Sequence, residues 1–117
     1  MSIETFVAEV HHIPEQVSWI EQVIELDRTD HAVKLRLVID DNLFIQAYVH
    51  TQSSTTNFVL VNAGQRIFGR DCEGGRWHKH PFEDPAAHDF SSDGQKPVTL
   101  TEFIYEVEEM LIQADLL

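Results

Sequence analysis

Cysteine is nearly absent from this chain of 117 residues, and its single copy, Cys72, excludes an internal disulfide and a zinc knuckle built on paired thiolates. Long hydrophobic runs are missing too. Stretches such as Leu43 to Ile45 are far too short to span a bilayer, and the acidic amino terminus lacks the basic patch that opens a signal peptide. A cytoplasmic protein without membrane association is the expectation. Basic residues are scarce, 8 Lys and Arg against 20 Asp and Glu, and the net charge of -12 disfavours unspecific attraction to a phosphate backbone or an anionic membrane. Glycine supplies no phosphate-cradling loop, because Gly74 and Gly75 stand without the following helix or Lys-Ser/Thr step of a nucleoside triphosphate site.

What is present fits one domain over residues 1–117, with 43% hydrophobic content able to bury a single core. Ser2 followed by Ile3, Phe6, Val7 and Val10 spaces one helical face, and Pro14 is expected to close this short helix. Val17 to Asp27 reads as a strand. In His31 to Ile39, the apolar Val33, Leu35, Leu37 and Ile39 alternate with Lys34, Arg36 and Val38, the pattern of a strand with one buried face. Asp40, Asp41 and Asn42 then turn the chain into Leu43 to Thr51. After a polar loop over Gln52 to Asn57, Phe58 to Asp71 forms a second hairpin around Asn62, Ala63 and Gly64.

Near the carboxyl end, Thr99 and Glu102 make a capping box, Val98 and Phe103 a hydrophobic staple, and Leu100, Phe103, Ile104, Val107, Leu111 and Ala114 one apolar stripe. The expected fold is therefore α+β: an antiparallel meander of about five strands, a short N-terminal helix, and a C-terminal amphipathic helix packed on one face. Strand edges of such a meander invite a second copy, a homodimer. Glu106, Glu108, Glu109 and Asp115 fall off the stripe, as a solvated face or as a surface for a basic, DNA-binding partner protein.

Candidate chemistry gathers between Arg70 and Phe90. Within Arg66 to His80, Arg66, Arg70, Arg76 and Lys79 outnumber Asp71 and Glu73, so an anion is accommodated despite the overall sign. His78 and His80 stand two apart, which in extended chain puts both imidazoles on one side. With His88, and with Asp84 and Asp89 to complete the set, they are weak candidates for a metal site. The favoured chemistry needs no metal and no other cofactor. One imidazole takes a proton, the other gives one, and Arg70, Arg76 and Lys79 hold a phosphate while Trp77 stacks on a base, the logic of RNA cleavage. Cys72 as nucleophile with His78 as base is disfavoured, since no spacing singles it out. His11 and His12 read as a helix end, and His31 and His50 receive no role.

The pieces RIFGRD at Arg66 to Asp71, WHKHP at Trp77 to Pro81 and PVTLTEFIYEVEEML at Pro97 to Leu111 occur in an order that resembles the TumE-type toxin family of bacterial toxin-antitoxin systems. The stretch Cys72 to Arg76 departs from the asparagine- and proline-rich segment of that family. By position the resemblance implies Arg70, Asp71, His78 and His80 as catalytic residues. It also implies a toxin-like protein neutralised by an antitoxin partner.

Overall fold

The computed structural model describes residues 2–117. The elements are α1 (Ile3–His11), α2 (Ile13–Gln16), β1 (Gln22–Arg28), β2 (Ala32–Val38), β3 (Leu43–His50), β4 (Thr55–Asn62), β5 (Gln65–Glu73), β6 (Arg76–His80) and α3 (Leu100–Gln113). All six strands form one antiparallel meander in chain order, so the α+β architecture holds with a strand more than the sequence suggested.

Local chemistry accounts for the elements and for the departures. The Ser2 hydroxyl accepts the Thr5 N–H and starts α1, whose Ile3, Phe6, Val7 and Val10 are buried. Pro14 does not simply end that helix. It sits in the first turn of α2, where a missing N–H leaves no hydrogen bond unmade. Strand β1 starts only at Gln22, and the residues before it lead through buried Ile20 into the sheet. Thr55, Thr56 and Asn57, expected in a loop, pair with His50, Val49 and Tyr48, as suits β-branched threonines.

The added strand is β6, from a segment that reads as a loop in the sequence. Gly74 and Gly75 take φ of +58° and +86°, a backbone that favours glycine at both central positions of a two-residue hairpin. The turn closes on the Glu73 and Arg76 pair.

Helices α1 and α3 cover one face of the sheet. Leu100, Phe103, Ile104, Val107 and Leu111 of α3 join Leu35, Leu37, Ile45 and Leu60 in the core, while Ala114 lies at its margin. The Phe103 ring lies 5.7 Å from that of Phe58 and 5.3 Å from that of Phe68. Thr99 and Glu102 form the expected capping box. Two acids expected on a solvated helix face are instead tied into the fold: Glu106 pairs with Arg70, and Glu108 accepts the Trp19 indole N–H at 2.7 Å. Each satisfies a donor that would otherwise be desolvated without a partner. No helix among the described residues is long and apolar enough to cross a membrane.

Candidate active site on the helix-free sheet face

A two-residue turn fixes the β5–β6 register. Asp71 faces His78, Arg70 faces Lys79, and Gly69 faces His80. Side chains alternate along a strand, so Asp71, His78 and His80 share the face away from the helices, while Arg70, Cys72, Trp77 and Lys79 share the helix-side face. The residues named from the sequence are thus divided between two faces.

On the helix-free face the cluster is tight. His78 Nε2 lies 3.1 Å from His80 Nε2, and Asp71 Oδ2 lies 3.2 Å from His80 Nε2 and 3.6 Å from His78 Nε2. All three residues are buried, with relative exposures of 5%, 5% and 4% for Asp71, His78 and His80. His80 Nδ1 lies 2.9 Å from the Pro85 carbonyl, which only accepts, so Nδ1 carries the proton and a neutral His80 turns a lone pair at Nε2 towards the cluster. Burial raises the Asp71 carboxyl above its ordinary value, against the lowering effect of Arg66 and both histidines. Burial also lowers His80, against the raising effect of the Pro85 carbonyl. Both shifts disfavour charge. The second carboxylate oxygen, Asp71 Oδ1, is buried without a hydrogen-bond partner.

The connector after β6 folds back over this cluster. Lys79 and Asp89 exchange backbone hydrogen bonds of 3.0 and 2.8 Å, an isolated antiparallel bridge that places His88 and Phe90 beside the two imidazoles. The His88 ring centroid is 5.0 Å from that of His78 and 4.8 Å from that of His80. The Arg76 guanidinium lies 4.0 Å above the Phe90 ring, at the edge of the same site. Gly69 suits the close approach of strand β4, since a Cβ there would stand only 3.2 Å from the Phe58 carbonyl, while His80 Cβ at 3.7 Å would be at ordinary contact distance.

The rows continue across the sheet. In register, Lys34, Tyr48, Asn57, Asp71 and His78 face one another along one row, and Arg36, Gln46, Val59, Gly69 and His80 along the next. A depression of about 400 Å³ is lined by Lys34, Gln46, Tyr48, Asn57, Val59 and Arg66. Arg66 Nη1 reaches to 3.9 Å from Asp71 Oδ2. Arg66 belongs to the local basic group read from the sequence, whereas Lys34, Tyr48 and Asn57 carry no functional expectation there. Their signal was legible in part, because strand alternation places Lys34 and Arg36 on the polar face of β2.

The remaining candidates lie elsewhere. Arg70 is 2% exposed and gives Nε and Nη2 to Glu106 at 3.1 and 2.6 Å, and Nη1 to the Asp93 carbonyl at 2.6 Å. It is a tether between sheet, helix and connector. Lys79 pairs with Asp93 and Asp89, and Trp77 lines a largely apolar cavity of about 550 Å³ with Phe6, Val10, Phe58 and Leu100. Cys72 is buried, which raises its thiol and opposes a nucleophilic role. Asp84 is exposed, and Asp89 turns to Lys79.

The Asp93 carboxyl is held below its ordinary value, chiefly by its hydrogen bond with Lys79 and then by the Arg70 charge. Its stabilisation is complete above the ordinary Asp range and disappears as pH falls through the lowered folded value. Acid should therefore increase hydrogen exchange in residues 81–96 before the sheet opens, and Asp93→Asn should show this faster exchange already at neutral pH. Equal exchange in the variant would remove Asp93 as a clasp. No protein-family model, curated protein or solved structure matches the chain.

Proposed function

We propose that the helix-free face binds an RNA strand and that the Asp71, His78 and His80 centre cleaves its backbone, the toxin-like activity that a resemblance to the TumE-type family implies. The Asp71, His78 and His80 cluster carries this reading, because it sets two imidazoles and a carboxylate on the sheet face that also holds Lys34, Arg36, Arg66 and Arg76. The chain has only 8 basic residues, yet Lys34, Arg36, Arg66 and Arg76 all lie on this face. Such a patch attracts phosphate locally against an unfavourable global charge.

The hydrogen-bond pattern suggests the roles. His80, with Nδ1–H tied to Pro85, offers its Nε2 lone pair as the base once a ribose hydroxyl takes the place of the His78 N–H on it. His78, whose Nε2 then donates towards His80, supplies the proton for the leaving oxygen, and Asp71 orients both rings. Arg66 meets the charge that develops on the phosphate. No metal is required for this scheme. It implies a cytoplasmic setting and a neutralising antitoxin, a DNA-binding protein in the simplest case. The alternative, an acidic module acting only by binding, is weakened because the Glu106 and Glu108 carboxylates, though half-buried, already hold internal partners.

The test is expression of the chain alone in bacteria, followed by cleavage of single-stranded RNA with purified protein. Growth arrest and cleavage are expected, with His78→Ala or His80→Ala lowering the cleavage rate about a hundredfold or more. Lys34→Ala with Arg66→Ala should weaken RNA binding and flatten its salt dependence. Cleavage that persists unchanged in the folded His80→Ala variant would overturn the assignment.

A further inference from the structure

We infer that the Asp71, His78 and His80 cluster is also a binding site for one divalent transition-metal ion of the zinc class, with His88 closing it from the connector. The inference departs from the metal-free expectation and rests on geometry that is independent of any RNA chemistry. Ligand atoms held about 2.0–2.1 Å from a tetrahedral ion lie about 3.3 Å from one another. The three separations here are 3.1, 3.2 and 3.6 Å, which surround that value. Ligand nitrogens of His78, His80 and His88 all lie within 4.8 Å of one another, so a further imidazole stands beside the two at the centre of the cluster.

The proton inventory points the same way. The Pro85 carbonyl fixes the proton of a neutral His80 on Nδ1, leaving the Nε2 lone pair 3.2 Å from a carboxylate oxygen. Two acceptors at that distance repel unless a proton or a cation stands between them. Such a carbonyl behind an imidazole is also the usual outer support of a metal-ligating histidine. Asp71 Oδ1 and Asn57 Oδ1, neighbours in one row, are both buried acceptors without a donor, as expected where a positive ligand belongs. The donor set of imidazoles and a carboxylate, without thiolate, suits Zn2+ and its spectroscopic substitute Co2+.

An ion would bridge β5, β6 and the connector. His88 is the exposed member, held near by the Lys79 and Asp89 bridge, and its movement onto the ion would fasten residues 81–90 over the site. Metal occupancy and the free imidazole pair are then alternative states of the same side chains.

The experiment uses the full chain without a histidine tag, titrated with Zn2+ in competition with a chromophoric chelator and with Co2+ monitored by visible absorption. One equivalent per chain and the intense d–d absorption of a four-coordinate ion are expected, together with thermal stability that rises with free Zn2+. Asp71→Asn and His80→Gln, chosen to preserve shape, should weaken binding about a hundredfold or more, and His88→Ala about tenfold. His31→Ala, on the far side of the sheet edge, should leave binding unchanged. Absence of stoichiometric binding by both ions in the folded wild type would overturn the site, as would binding that survives both Asp71→Asn and His80→Gln. The titration contains no RNA, so its result is separate from that of the cleavage assay.

Discussion

Replacing Arg70 with alanine should lower the free energy of unfolding by about 3 kcal/mol, the low end for breaking a buried charge pair. The low end applies because the Glu106 side chain keeps 32% exposure and regains water when its partner is lost, whereas the Arg70 side chain keeps only 2%. The same substitution removes the donor to the Asp93 carbonyl, so the connector is released along with the helix contact. Urea denaturation should show a lower midpoint with an unchanged slope. Glu106→Gln should cost less, since an amide oxygen still accepts one guanidinium hydrogen bond. Arg70→Met combined with Glu106→Leu should recover part of the loss, because no charge is then left unpaired. A deficit well below about 1 kcal/mol for Arg70→Ala would mean that this tether contributes little to stability.

Phe103→Ala is expected to cost about 3–5 kcal/mol, the range for deleting a buried aromatic ring. Phe103 has 0% exposure and packs between Phe58 and Phe68, so neither strand β4 nor β5 can collapse into the space without unpairing the sheet. Against a total of about 5–15 kcal/mol for an ordinary domain, this is a large share, and the melting temperature should fall by about 10 °C or more. The residue lies on the helix side of the sheet, opposite the Asp71 cluster. The folded fraction of the variant should therefore bind Zn2+ with wild-type stoichiometry. Loss of stability without loss of the site would separate the core from the centre.

The alternation of Val33, Leu35 and Leu37 and the capping box at Thr99 were sufficient to anticipate β2 and α3, since each depends on spacing within one element. Strand β6 was missed for a specific reason. Gly74 and Gly75 lack the surroundings of a phosphate loop, yet two glycines between extended runs also encode a tight hairpin. Once that turn is granted, the opposition of Asp71 to His78 and of Gly69 to His80 follows from counting.

The choice among the basic residues was not accessible in this way. Arg70 and Asp71 are adjacent in sequence, yet strand alternation sends one to Glu106 on α3 and leaves the other beside His80. Arg66 reaches Asp71 although it directly faces Val61, because the register shifts between Leu60 and Val61. His88 arrives through the bridge between Lys79 and Asp89, a contact across the irregular residues 81–88.

The amino-acid order by itself determined the apolar stripes, the turns and hence an antiparallel α+β scaffold, because these arise from periodicity and backbone preference over a few neighbouring residues. Only the tertiary structure decided which cations join the imidazoles and which become tethers. That outcome depends on strand register, on a bulge and on the path of the connector, and each of these is settled by packing between segments distant in sequence.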